Sequence, residues 1–361
     1  MSLLIFIVVL GVIVLVHEWG HFFAAKKFGI RVDEFGFGFP PRILSKMWHG
    51  TLYSLNLFPL GGFVKIYGEG GEGQGSRESF ASHSILRRTI IIAAGVFMNL
   101  VLAWFLFSLG HIVGAPALAG ESNVENINVM ITGVVPKSPA AEAHLAFGNV
   151  IREIKFENEV LRPQNTLELV EFVNRHRGKS LTLSVLPSSV AEENELKSIS
   201  ITGRENPPPG EGSLGIALSD MGITRSPWYL APLRGLESLW FSVKATVYAI
   251  GDIFQSAVKE QKIPEGVSGP LGLFALTGQT QRLGFSYFIQ FIALLSVNLA
   301  VLNIIPFPAL DGGRILFLVI EKVRGRPVHF EYERIVHTLG FLLLLALILI
   351  ISYHDVRRFF L

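Results

Sequence analysis

Cysteine is absent from all 361 residues, so there is no disulfide framework and no thiolate to hold a metal. Charge is scarce, at 17% of residues, and nearly balanced at +2, which leaves no footprint for nucleic acid. The N-terminus lacks the positively charged start of a secretory leader, and His17 and Glu18 stand where a small-residue cleavage site would be. What remains is hydrophobic, at half of all residues and concentrated in a few blocks. That is the composition of a multi-pass α-helical membrane protein rather than a soluble globule.

The first block, residues 3–25, carries His17-Glu18-Trp19-Gly20-His21. Its 23 residues make about 34 Å of helix, enough to cross a bilayer, with His17 about 21 Å from Leu3. On that helix His17 and His21 are one turn apart and project to the same side, the spacing that lets two imidazoles share a zinc ion. Glu18, next to the first ligand, can take a proton from a water that the metal activates. Two His and a Glu in hydrocarbon are costly unless they face a protein interior, where the alternative is a structural role. The pattern supplies two ligands, and a third must come from elsewhere.

Lys26, Lys27, Arg31, Arg42 and Lys46 follow, and Arg87 and Arg88 close the same loop, which marks it as cytoplasmic and the N-terminus as outward. Within the loop, residues 51–66 read as a β-hairpin turning near residues 59–62. Its apolar residues favour entry into the membrane against the helices, with a plain cytoplasmic hairpin as the alternative. Residues 68–75 form a glycine-rich tether. A second span covers residues 86–112, with Gly95, Asn99 and Ala103 forming a stripe of small and polar residues for close packing.

Residues 124–219 change character. Strands are expected at 129–135, 150–156, 181–186 and 198–201, and helices at 139–145 and 167–177, giving a small exported α+β domain. Residues 228–262 are amphipathic, with Leu233, Leu236, Leu239, Trp240 and Val243 against Asp252, Lys259, Glu260 and Lys262. They are expected on the outer membrane surface or against the bundle, with a cryptic span at 240–258 as the alternative.

The third span, about 285–319, is broken. Asn298, Asn303, Pro306, Pro308 and Asp311 interrupt it, and the prolines free backbone groups at membrane depth. Asp311 supplies the missing third ligand; capping the helix that restarts at Gly312 is the alternative. A charged cytoplasmic loop at 321–333 and a fourth span at 335–352 complete the chain. Arg357 and Arg358 then lie outside, against the usual charge rule. The chain thus divides into 1–112 (two spans and the hairpin loop), 124–219, 228–262 and 267–361 (two spans).

With His17-Glu18-Trp19-Gly20-His21 in one span and Asn303-Ile304-Ile305-Pro306-Phe307-Pro308-Ala309-Leu310-Asp311-Gly312 in another, the chain resembles the site-2 protease family of intramembrane zinc metalloproteases (peptidase family M50). Within it, the bacterial regulator-of-sigma-E protease branch is the most similar. Leu60-Gly61-Gly62-Phe63-Val64-Lys65 and Val267-Ser268-Gly269-Pro270-Leu271-Gly272 extend the resemblance over nearly the whole chain. The resemblance implies one Zn2+ per chain and a PDZ fold for the exported domain, entered through Val134 to Ala143. It departs from the family in having room for one PDZ domain, and in Phe147-Gly148-Asn149 where Pro-Gly-Asp is usual, which counts against ordinary peptide-tail binding. It further implies that the 51–66 hairpin, with Gly61, Gly62 and Phe63, presents substrate as an added strand, and that Asn303, together with Asn298, contacts substrate. The expected activity is cleavage of single-span membrane proteins, such as anti-sigma factors or remnant signal peptides, after their external part is trimmed. The expected location is the bacterial inner membrane, with the PDZ domain outside and the active site toward the cytoplasm. A non-proteolytic scaffold and a zinc transporter are the alternatives. The first is disfavoured because His17, Glu18, His21 and Asp311 are all present, and the second because a single site suggests no path.

Overall fold

The structure, a computed structural model, describes residues 2–73, 75–120, 124–186, 196–259 and 269–359. In chain order, α1 (Ser2–Lys27) leads into the long strands β1 (Val32–Trp48) and β2 (Thr51–Ile66), then α2 (Ile85–Val113). A sheet region follows: β3 (Ala115–Leu118), β4 (Val124–Val134), α3 (Pro139–Glu142), β5 (Val150–Phe156), β6 (Glu159–Leu161), α4 (Thr166–Arg175), β7 (Ser180–Leu186), β8 (Lys197–Thr202) and β9 (Ile216–Thr224). The remainder is helical: α5 (Ala231–Lys259), α6 (Pro270–Arg282), α7 (Phe285–Ile304), α8 (Asp311–Arg324) and α9 (Phe330–Phe359). Val267 and Ser268 of the sequence motif, Gln74 of the tether, and Glu260 and Lys262 of the amphipathic stretch lie outside the described residues, as do the side chains of Arg357 and Arg358.

Four helices, α1, α2, α7 and the Phe330–Tyr353 part of α9, are long and apolar enough to cross a membrane. The chain forms two compact units, one of Met1–Phe107, Gly235–Thr277 and Phe291–Leu361, the other of Ser108–Arg234 and Gly278–Gln290.

In the first unit, helices cannot be driven together by hydrophobicity where their surroundings are as apolar as they are, so close packing and polar contacts decide. The stripe on α2 does this. Asn99 and Ala103 are fully buried, and the Asn99 carbonyl accepts a 2.8 Å hydrogen bond from Ser296 Oγ of α7. Ala103 and Phe107 pack with Ala293, Val297 and Val301 of α7 and with Leu239, Val243 and Ile250 of α5. α5 therefore lies against the bundle, and it is not among the helices apolar enough to cross a membrane. Thr246 Oγ1 of α5 donates to Asn298 Oδ1 of α7 at 2.8 Å.

β1 and β2 differ from the expected hairpin. Residues 34–37 of β1 form a middle strand, with Gly36 opposite Phe63 on one side and Ser54 on the other. Residues 51–58 and 62–66 therefore flank β1 instead of pairing with each other. The tight turn is at His49 and Gly50, both at positive φ, and it joins Trp48 to Thr51. Phe39, Ile43, Leu44, Met47, Trp48, Leu57 and Phe58 leave an apolar surface on this small sheet.

α7 stops at Ile304 because Pro306 and Pro308 cannot donate the next helical hydrogen bonds. The chain then doubles back tightly: a Cβ on Gly312 would fall 2.1 Å from the Ile305 carbonyl oxygen, so only glycine permits α8 to start there. The expected third span is thus one membrane-length helix, α7, followed by a bend and an amphipathic helix, α8.

The second unit holds a sheet ordered β3-β9-β4-β5-β7-β8, with β6 beside β5. α4 starts at Asn165, whose Oδ1 accepts from Glu168 N at 2.9 Å, and it buries Leu169, Phe172 and Val173 against Ile151, Ile154, Leu181 and Leu183. Burying each of these side chains contributes about 1.5–3 kcal/mol. β4, β5, β7 and β8 match the expected strands within a few residues. β3, β6 and β9 were not expected: β9 carries Ser219, Asp220 and Gly222, residue types poor in strands, and β3 is four residues with a proline. Asp220 instead anchors α4, accepting from Thr166 N at 2.7 Å.

Candidate metal centre

α1 presents His17 and His21 side by side, both buried, because a four-residue step returns to the same face. Opposite them, the bend after α7 delivers Asp311 at the first turn of α8. His17 Nε2 lies 3.0 Å from Asp311 Oδ2, His21 Nε2 lies 3.3 Å from the same oxygen, and the two Nε2 atoms are 3.2 Å apart. Among the described residues this is the one group of three or more potential ligands within reach of one another.

The donor set fits zinc. Four ligands at about 2.0–2.1 Å in a tetrahedron stand about 3.3 Å from each other, and these three atoms already make a triangle of that size. His21 Nδ1 is 2.9 Å from the Ile91 carbonyl oxygen, which only accepts, so Nδ1 carries the proton and Nε2 faces the centre with a lone pair. Asp311 Oδ2 is buried, and its near neighbours are the two Nε2 atoms. Lone pairs gathered this closely repel unless a cation lies among them, and a set of two imidazoles and one carboxylate suits zinc.

Glu18 follows His17 and is half-buried. Gly62, of the β2 segment beside β1, comes close to it: a Cβ there would stand 3.4 Å from Glu18 Cγ. Gly61 adopts φ +129 and approaches the ring of Phe39, while the Phe63 ring covers Gly36. Of the two asparagines on α7, Asn303 faces the centre, with Nδ2 3.4 Å from His17 Nε2. Asn298 faces α5, engaged by Thr246.

Several groups support the site in ways that the sequence reading did not assign to them. Ala309 N donates to His337 Nδ1 of α9 at 2.9 Å, which steadies Ala309 at φ +80 two residues before Asp311. Arg314 of α8 pairs with Glu69, and Arg88 of α2 pairs with Glu321, tying α8 to the loop and to α2. Gly95 of α2 makes room for both imidazoles, since a Cβ there would lie 2.4 Å from His21 Nε2. These residues sit far apart in the chain, and the Ile91 contribution is a backbone carbonyl, which any residue type would provide.

The model of peptidase family M50 matches residues 5–347. The zinc metalloprotease RasP of Oceanobacillus iheyensis is 28% identical, the alignment covering 99% of each chain. The regulator of sigma-W protease RasP of Bacillus subtilis is 27% identical, over 100% of this chain and 99% of that one. The regulator of sigma E protease of Haemophilus influenzae is 26% identical over 98% of each. A family match spanning almost every element, together with end-to-end similarity to named zinc metalloproteases, means that this chain belongs to peptidase family M50 and is a zinc metalloprotease with Zn2+ as its cofactor.

Proposed function

We propose that this enzyme hydrolyses a peptide bond within a membrane-spanning segment of a single-span membrane protein. The observation that carries this is the convergence of His17, His21 and Asp311 between helices α1 and α8, beside helices long enough to cross a bilayer. His17, His21 and Asp311 would hold zinc, which when bound acts as a Lewis acid toward water and the peptide carbonyl. Glu18 accepts the proton of the attacking water and returns it to the leaving amine. Asn303, whose amide faces the centre, orients the substrate carbonyl near the scissile bond.

A helical substrate hides its peptide bonds and must open before attack. The segment Gly61-Gly62-Phe63, which passes Glu18, is suited to pair with the opened chain as an added strand. Asn298 would join the substrate contacts only by giving up Thr246. The location consistent with the basic residues around the β1–β2 loop is the bacterial inner membrane, with that loop cytoplasmic. The substrate class is that of anti-sigma factors or remnant signal peptides.

Asp311→Ala tests the ligand assignment, whereas Glu18→Gln, which should keep zinc and lose cleavage, separates this reading from a scaffold or a transporter. Zinc affinity and cleavage of a membrane-spanning substrate should fall together, each at least tenfold, because a ligand is lost rather than a proton carrier. Full zinc binding with unchanged affinity would place the third ligand elsewhere.

The sheet domain would act as a size filter in this scheme, since none of the proposed catalytic groups falls within residues 124–219. Replacing those residues by a flexible linker should preserve cleavage of a trimmed substrate and permit cleavage of an untrimmed one. Paired long and short versions of one substrate test this. A folded, zinc-loaded deletion that still rejects the long version ends the filter idea. If it cuts neither version, the domain recruits substrate instead.

A further inference from the structure

His21 and His17 are held in different ways from behind. The Ile91 carbonyl takes the Nδ1 proton of His21 and leaves its Nε2 free to bind metal. Behind His17, at 3.3 Å from its Nδ1, stands the side-chain amide of Asn99, a fully buried residue of α2. Asn99 is itself fixed, through its backbone carbonyl, by Ser296 of α7.

The two ends of that amide have opposite consequences. With Nδ2 toward His17, the amide donates to Nδ1, so Nε2 carries the proton and points it at Asp311. Asn99 Oδ1 is then buried with no hydrogen-bond donor. A half-turn of the amide exchanges two groups of nearly equal size. Oδ1 then accepts the Nδ1 proton, Nδ2 takes the buried place that Oδ1 had, and Nε2 presents a lone pair as His21 does. A zinc ligand must turn a lone pair toward the metal, so the second arrangement is the one that a metal-holding His17 requires.

We propose that Asn99 is the positioning residue of His17: its side-chain oxygen accepts the Nδ1 proton and so selects the tautomer that binds zinc. α2 would thus orient both histidines, one through the Ile91 carbonyl and one through the Asn99 side chain. The inference rests on the assignment of His17 as a ligand. It goes beyond that assignment in giving a polar role to a residue whose spacing with Gly95 and Ala103 suggests packing alone.

The test compares Asn99→Leu and Asn99→Asp in the purified full-length protein, with zinc affinity measured by competition against a chelator. Leu has similar size and no acceptor; Asp keeps an acceptor in the same place. Loss of a group that orients a metal ligand lowers affinity by about 10–100-fold. That loss is expected for Asn99→Leu, while Asn99→Asp retains at least the wild-type affinity. A pure packing role predicts the reverse, because Leu fills the space and a buried carboxylate disrupts it. Wild-type affinity in Asn99→Leu, or equal loss in both variants, overturns the proposal.

Should Asn99→Asp not fold, the Leu variant decides alone, with cobalt in place of zinc at saturation. A visible spectrum unlike that of the wild type shows a displaced His17 and supports the proposal, whereas superimposable spectra overturn it. His17→Ala is measured alongside. If it binds zinc as the wild type does, the ligand assignment fails; if it loses zinc while Asn99→Leu does not, only the role of Asn99 fails.

Discussion

Glu18→Gln is expected to keep one equivalent of zinc and an unchanged fold while cleavage falls by about 10²–10⁴-fold, the contribution typical of a positioned acid–base group. Gln has the size and reach of Glu and cannot take a proton. Glu18 is not one of the three converging residues proposed as ligands, so the triangle of His17, His21 and Asp311 survives the change. It lies where the Gly62 segment passes, which puts it beside any peptide strand laid along that edge. Metal analysis and single-turnover cleavage of a membrane-spanning substrate, on the same preparation, check both halves of the expectation. Residual activity above about a hundredth of wild type would remove Glu18 from the role of general base.

The parts of this centre that the sequence discloses are those written locally. His17 and His21 are four residues apart on one helix, so helical geometry alone sets them side by side. Asp311 stands out because a carboxylate next to two prolines in an apolar block needs a reason to be there. That it meets the histidines depends on how α7 ends and on the glycine that starts α8, and the residue types anticipate both. The small sheet of β1 and β2 is different. Residues 51–66 alternate like a hairpin, yet they pair with β1, at residues 34–37 and again at 39–48, a stretch whose glycines and prolines weaken any strand pattern. Pairing between distant segments leaves no local trace, and β9, which carries Ser219, Asp220 and Gly222, has little strand pattern of its own.

Asn99 and Gly95 illustrate a subtler limit. Their four-residue spacing with Ala103 reads as helix packing, and Ala103 does pack against α7. The same face of α2, one turn earlier in each case, stands behind His17 and His21 of the proposed metal centre. A small residue that lets a backbone approach and a small residue that spares a ligand look identical in sequence. The atoms they would strike tell them apart.

Two glycines make that distinction testable. On Gly20 of α1 an added Cβ would fall 2.3 Å from the Ala94 carbonyl oxygen, a backbone atom of α2 that cannot turn aside. Gly20→Ala should therefore push α1 from α2 and lower the melting temperature of chelated protein. On Gly95 the obstacles are side chains, His21 Nε2 at 2.4 Å and His17 Cε1 at 2.8 Å. Gly95→Ala should leave the helix sound, since Ala is the better helix former by about 1 kcal/mol. The imidazoles, however, must swing away from Asp311, and His21 must loosen its hold on Ile91. Zinc affinity and cleavage are both expected to fall by about a hundredfold or more, the scale of losing a ligand-orienting contact on each histidine. Melting of the chelated protein should stay near that of wild type. Chelator competition and thermal unfolding, run on both variants, separate the two effects. Wild-type zinc affinity in Gly95→Ala would mean that the histidines have slack, and that the donor triangle is not held as rigidly as the contacts behind it imply.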